Sequence, residues 1–244
     1  MNSPPPEPRY AIYFVPAADT TLYRFGASVL GYDSYSGQAH DLIEGADALV
    51  WRELVHEPRM YGFHATLKAP FYLAKGATED DLVRALVDVA ANQPAVLTGE
   101  LALRELGSFI ALAPANPIPL LDRLAETCVR AFDRFRAPMS VQERARRLVP
   151  ALTDRQIENL VRWGYPYVFE DFRFHMTLTG SHGVQKRSKA LKFLCKKFEQ
   201  LPGVASTTVD QIVIARQNDK ASPFCVIEIA PLGQSPYRPY AYSY

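Results

Sequence analysis

The sequence predicts an α+β fold: two similar lobes whose antiparallel sheets face a central cleft, with helices on the outside. Three observations predict it. The order strand, helix, strand, helix, two strands in the first half recurs in part after residue 118 as helix, strand, helix, two strands. That is a weak duplication of one α+β unit, not a short-period repeat. One short phrase stands in each half, Phe63-His64-Ala65-Thr66-Leu67 and, 111 residues later, Phe174-His175-Met176-Thr177-Leu178. Both phrases lie in runs that alternate with the two-residue period of a strand.

Taken in order, four prolines in the first eight residues resist regular structure, so 1–8 reads as a disordered lead. Arg9 to Val15 is aromatic and β-branched, as a buried strand is. Asp19 or Thr20 caps a helix that runs to Leu30 and stops at Gly31. Gly31 to Pro58 reads as loop with room for a short helix, and the first His strand then runs to about Pro70. Thr78-Glu79-Asp80-Asp81 starts an amphipathic helix, with acids where the helix dipole favours them. Val96 to Leu106 and Phe109 to Ala113 form a hairpin about Gly107-Ser108. Pro117 to Phe135 is a helix with Leu120, Leu121, Leu124, Cys128 and Phe132 at core spacing. Ser140 to Leu152 and Thr153 to Trp163 are two capped helices with no counterpart in the first half. After the second His strand come a basic amphipathic helix, Val184 to Gln200, and two strands, Thr207 to Ala215 and Phe224 to Ala230. The expected organisation is one bilobal domain over 9–232, with lobes of roughly 9–117 and 118–232, a helical insertion near 138–170, and a Pro/Tyr-rich tail, 233–244.

At 244 residues, 48% apolar and 22% charged, the chain is an ordinary globular protein with enough length for a substantial core. A net charge of +1 argues against non-specific nucleic-acid attraction. Cys128, Cys195 and Cys225 are widely spaced and odd in number, which suits free thiols in a reducing compartment. With neither a signal-peptide pattern nor a membrane-length apolar run, the expected location is the cytoplasm, and no stable protein partner is predicted.

Alternation also selects candidate site residues. In the first copy Tyr61, Phe63, Ala65 and Leu67 share one side, and Gly62, His64, Thr66 and Lys68 the other. In the second, Phe172, Phe174, Met176 and Leu178 oppose Arg173, His175, Thr177 and Thr179. Facing one another, the polar sides would converge two imidazoles, two hydroxyls and two cations on one spot, equipment suited to a phosphate diester. Tyr13 is placed to line the cleft from the neighbouring strand, whereas Tyr10, Ile12 and Phe14 read as core. Trp163, Tyr165 and Tyr167 suit either stacking on a base or packing against the inserted helices.

The paired His-x-Thr-Leu strands resemble the 2H phosphoesterase superfamily. The runs Arg9 to Phe14, Tyr61 to Pro70, Trp163 to Val168 and Phe172 to Gly180 are similar to a bacterial subgroup labelled DUF1045 and associated with phosphonate metabolism. The resemblance covers Arg9 to about Leu232 and implies catalytic histidines at His64 and His175 and phosphate-contacting hydroxyls at Thr66 and Thr177. It implies a phosphoesterase that opens a cyclic phosphodiester, such as a 2′,3′-cyclic phosphate or a related ribose cyclic phosphate, on a small molecule or an RNA terminus. Lys68, Arg173 and Tyr13 are expected to contact substrate. The scheme needs no metal or other cofactor. A neutral imidazole takes a proton from the attacking water and a protonated one supplies the leaving oxygen, each worth ~10²–10⁴-fold. Two other readings compete: histidine ligands of a water-activating metal, which would want added Asp, Glu or Cys, and a non-catalytic module that binds a nucleotide or RNA end.

Overall fold

A computed structural model of the chain describes residues 7–148 and 152–233. Most of the proline-rich lead, part of the join between the inserted helices, and nearly all of the tail lie outside the described residues.

The chain begins with β1 (Arg9–Phe14) and α1 (Thr21–Leu30). The Thr20 hydroxyl accepts from the Tyr23 amide at the start of α1, and Gly31 closes it at φ 63°. The next stretch holds two short paired strands, β2 (Tyr32–Asp33) and β3 (Gln38–Ala39), and α2 (Ala48–Arg59). A three-turn helix here goes beyond the expectation of loop with a short helix. Its signals were an Asp47 cap and buried Trp51, Leu54, Val55 and Pro58 at helical spacing, masked by exposed Leu49 and Val50.

Then come β4 (Ala65–Tyr72), α3 (Glu79–Ala91) behind its Thr78–Asp81 capping box, and β5 (Val96–Leu97). The hairpin is β6 (Leu101–Leu106) with β7 (Phe109–Pro114), followed by α4 (Pro119–Phe132). Leu121, Leu124, Cys128 and Phe132 of α4 are buried as expected, while Leu120 is on the exposed side. The inserted helices are α5 (Val141–Arg147), capped by Ser140, and α6 (Asp154–Trp163), capped by Thr153. The second His segment supplies only β8 (Met176–Thr177) before α7 (Val184–Glu199), β9 (Thr208–Val209), β10 (Gln211–Gln217) and β11 (Cys225–Pro231).

Seven strands form one sheet in the order β11-β10-β1-β4-β8-β7-β6, with every pairing antiparallel. The chain is therefore α+β, as its sequence predicts. The sheet's two flanks are interleaved in sequence: β10 and β11 join β1 and β4, whereas β6 and β7 join β8. The lobes drawn along the chain, 9–117 and 118–232, thus exchange strands in space. The seam between the flanks is β4 against β8 at Ala65↔Met176. Helices α3 and α4 pack on the sheet around β4, β10 and β11, and α7 packs on β6 and β7. Among the described residues no helix is long and apolar enough to cross a membrane.

Candidate active site

The seam register creates the site. With Ala65 opposite Met176, the residues on either side of that pair turn to the other face of the sheet. His64 then falls opposite Thr177, and Thr66 opposite His175, so the two phrases meet in reciprocal order. All four side chains line one cavity of about 600 Å³. Below them Phe63, Ala65, Phe174 and Met176 are buried in the core. The Phe63 ring sits so close to Gly26 of α1 that a Cβ there would lie 2.0 Å from it, which locks the first phrase against that helix.

Both imidazoles are held by the same local device. The Nδ1 of His64 lies 2.9 Å from the Gly62 carbonyl, and that of His175 lies 2.7 Å from the Arg173 carbonyl. A carbonyl only accepts, so each Nδ1 carries the proton and each Nε2 is left as the working nitrogen. Gly62 has φ 72°, and a Cβ on it would meet Ser34 at 2.8 Å. Only glycine suits a carbonyl presented there. His64 Nε2 accepts from the Thr66 hydroxyl at 3.0 Å, and its ring stacks on Tyr13 with centroids 3.7 Å apart. Burial pushes His64 down to about 4; the Gly62 bond opposes this and the charge of His175 adds to it. Burial also lowers His175, opposed by its bond to the Arg173 carbonyl.

Tyr13 lines the cavity, fully buried, and its hydroxyl has no hydrogen-bond partner among the described residues. Burial, with Tyr61 and Tyr165 nearby and opposed by Arg9, holds this phenol well above its usual range, so it keeps its proton and has it to donate.

Lys68 is not at the site. Along β1 and β4 the pairing steps from Tyr13↔Thr66 to Ile12↔Lys68, which leaves Leu67 without an opposite number. This bulge reverses the alternation that placed Lys68 beside His64. Lys68 is instead 2% exposed on the helical side, where Nζ donates to the Val129 carbonyl at 3.2 Å and to Asp133 at 2.8 Å. Arg173 is exposed and its side chain is not among the cavity lining; what it gives the site is its backbone carbonyl. No strand runs through residues 172–175, so alternation does not govern it.

The cations of the cavity are Arg9 and Arg147. Arg9 shares the parity of Tyr13 on β1, a signal that alternation carried. Its Nε and Nη2 donate to the neutral Gln217 amide oxygen. Arg147 reaches in from α5, its guanidinium donating to Glu143 one turn back on the same helix and to the Gly164 carbonyl, the latter contact set by tertiary packing. Tyr165 and Tyr167 line the same wall, whereas Trp163 packs on Phe169. Helix α2 adds Glu57 at the other end of the cavity, where the Gly180 amide donates to the Leu54 carbonyl at 2.7 Å. Among the described residues no three His, Cys, Asp or Glu side chains gather as a metal-binding group.

The chain is distantly similar to solved structures of E. coli LigT, complexed with 3′-AMP (14% identity, 93% of this chain and 99% of that one, TM-score 0.40) and in apo form (13%, 95% and 100%, TM-score 0.42). It is 35% identical over 223 residues to a protein of Janthinobacterium sp. (strain Marseille) named ribose 1,5-bisphosphate phosphokinase PhnN, which covers 88% of this chain and 49% of that protein. A protein of the same name from Laribacter hongkongensis (strain HLHK9) is 36% identical over 174 residues, 70% of this chain and 40% of that protein. The chain thus spans about half the length of the curated relatives it matches. The model of a family described as a protein of unknown function, DUF1045, matches residues 66–225, and the chain belongs to that family.

Proposed function

We propose that the protein is a metal-independent phosphoesterase that opens a cyclic phosphodiester on a ribose. The observation that carries this reading is the pair of Nδ1-anchored imidazoles, His64 and His175, facing one cavity with Thr66 and Thr177 crossed between them. A phosphate seated there has an imidazole on either side and hydroxyl donors for its non-bridging oxygens. The name of the curated relatives adds support for a phosphorylated ribose as the substrate class, and a role in phosphonate metabolism suits the family resemblance.

His64 is the general base. Its burial keeps it neutral at neutral pH, and its Nε2 already accepts a proton-bearing oxygen, that of Thr66. When substrate binds, the Thr66 hydroxyl turns to a phosphoryl oxygen and a water takes its place at Nε2. His64 removes a proton from that water as the oxygen bonds to phosphorus. The P–O bond to one ribose oxygen breaks, and His175, entering the step as the imidazolium with a proton on each ring nitrogen, delivers its Nε2 proton to that oxygen. The product is a phosphomonoester with a free hydroxyl, leaving His64 protonated and His175 neutral, to be reset through solvent. Charge that gathers on the phosphoryl oxygens meets the Thr66 and Thr177 hydroxyls.

The test is turnover of 2′,3′-cyclic nucleotides and ribose cyclic phosphates by protein treated with EDTA, beside His64→Ala and His175→Ala. Activity that persists without metal and falls at least ~10²-fold in each variant is the expected result. Activity lost with EDTA and restored by a divalent metal overturns the mechanism, and tight binding without turnover identifies a binding module.

A further inference from the structure

The cavity is polar in an unequal way, and the inequality runs along its length. Arg9 pairs with Tyr72 at the far end of β4, whereas Tyr13 pairs with Thr66 beside the histidines. At ~3.3 Å per residue the four-residue step along β1 puts Arg9 roughly 13 Å from Tyr13, backbone to backbone. Because β8 runs opposite to β4, the turn from Thr177 to Gly180 leads the other way, toward Glu57. One end therefore carries arginines and the other a carboxylate.

At the arginine end one guanidinium, that of Arg9, is left without a balancing carboxylate among the described residues. Among the described residues Arg9 has a neutral partner, Gln217, rather than a carboxylate. Arg147 stands with it, ion-paired with Glu143 at 2.7 Å, and these two arginines also line a second cavity of about 680 Å³, along with Lys220, Glu7 and Glu143. The Tyr13 hydroxyl, buried and without a partner, lies where Arg9, Tyr61 and Tyr165 are its charged or polar neighbours. A buried donor left unmatched near the Arg9 guanidinium suits an anionic oxygen that arrives with the ligand.

We infer that Arg9, Arg147 and the Tyr13 hydroxyl form a second anion subsite, and that the substrate is a ribose cyclic phosphate carrying a second, non-reacting phosphate. The inference rests on the phosphoesterase reading and specifies its substrate class. The ring of the sugar spans the floor between the two phosphates, and Glu57 repels a phosphate from the opposite end, so the ligand binds in one orientation.

The deciding experiment compares kcat/KM for a ribose cyclic phosphate with and without a phosphate on C5, in the native protein, Arg9→Gln, Arg147→Gln and Tyr13→Phe. Two charge-assisted contacts predict a native preference of ~10²-fold or more for the phosphorylated form. That ratio should fall below ~10 in each arginine variant, with Arg9→Lys and Arg147→Lys between, since lysine keeps the charge but not the fork. Tyr13→Phe should lower the ratio and raise the melting temperature of the free protein, because it deletes an unmatched buried donor; a purely structural tyrosine would leave the ratio alone. A native ratio near one, or a ratio unchanged in both arginine variants, overturns the inference. If neither substrate turns over, the phosphoesterase reading fails and binding decides the subsite. Ribose 1,5-bisphosphate held at least ~10-fold tighter than ribose 1-phosphate, with the difference lost in the arginine variants, supports it; equal affinity overturns it.

Discussion

His64 directly precedes an eight-residue strand, stacks on Tyr13 and is bonded through Nε2 to Thr66. His175 directly precedes a strand of only two residues, sits 5.7 Å from the Phe109 ring between centroids, and among the described residues is hydrogen-bonded only at Nδ1. Nearly the same five-residue phrase thus gives two imidazoles with one tautomer and two environments. What the phrase encodes is the fold-back of Nδ1 onto the carbonyl two residues earlier and the reciprocal placement of His and Thr. What it does not encode is how readily each ring takes a proton, which is set by neighbours from β1, α1 and β7. Division of labour between like residues follows from such differences in surroundings.

The largest effects should come from erasing one member of the pair. His64→Ala and His175→Ala should each lower kcat by ~10²–10⁴-fold, and the double variant by little more than the worse single, because the two act as a unit. Their pH profiles should differ. In the native protein kcat/KM should rise through the His64 value of about 4 and fall again below 6.5, since His175 is itself lowered and loses its proton before an ordinary histidine would. The optimum should therefore be acidic, with His64→Ala losing the acid limb and His175→Ala the alkaline one. A flat profile from pH 5 to 8 would break the assignment of base and acid.

Next in size are the hydroxyls. Thr66→Val and Thr177→Val each remove one donor to the phosphoryl oxygens and should cost ~10²-fold in kcat. Thr66→Val alone also frees His64 Nε2 from its resting bond, so the acid limb should shift in that variant and stay put in Thr177→Val. Gly62→Ala should cost roughly 10-fold, by straining a left-handed residue whose carbonyl holds His64. A matching change at Arg173, which presents its carbonyl without that constraint, should be nearly silent. Lys68→Met should have the smallest effect on turnover and a large one on stability. It breaks a buried pair at a cost of about 3 kcal/mol, moderated by the Arg136 guanidinium that also holds Asp133. Denaturant melts beside kcat/KM would separate the two effects, and a 10²-fold loss of activity at full stability would return Lys68 to the site.

Much of this was legible in residue order, because the governing signals are local. Thr20, Thr78, Ser140 and Thr153 announce helix starts, and each caps as expected. The repeated phrase identified the four groups that meet at the seam. Lys68 escaped because one unpaired residue, Leu67, shifts the parity of everything after it, and a bulge leaves no mark in a hydrophobic pattern. Arg173 escaped because strand logic was extended over residues that form no strand. Arg147 was out of reach for another reason: its place depends on how an inserted helix docks, which is a property of the assembled chain. Glu57 lay in a helix whose exposed Leu49 and Val50 blurred its period.

The interleaving of the sheet also bears on how the protein comes to exist in a cell. β1 pairs with β10, so Arg9 meets Gln217 across 208 residues of chain, and β4 waits for β8. Contacts of such separation slow the search for the native topology. During synthesis the first phrase emerges long before the strands that flank it, and β1 offers one open edge until residues near 217 leave the ribosome. The cavity between the two phrases is therefore completed late and all at once. A chain truncated between His175 and β10 would carry both histidines and yet lack the strand that holds β1 beneath them.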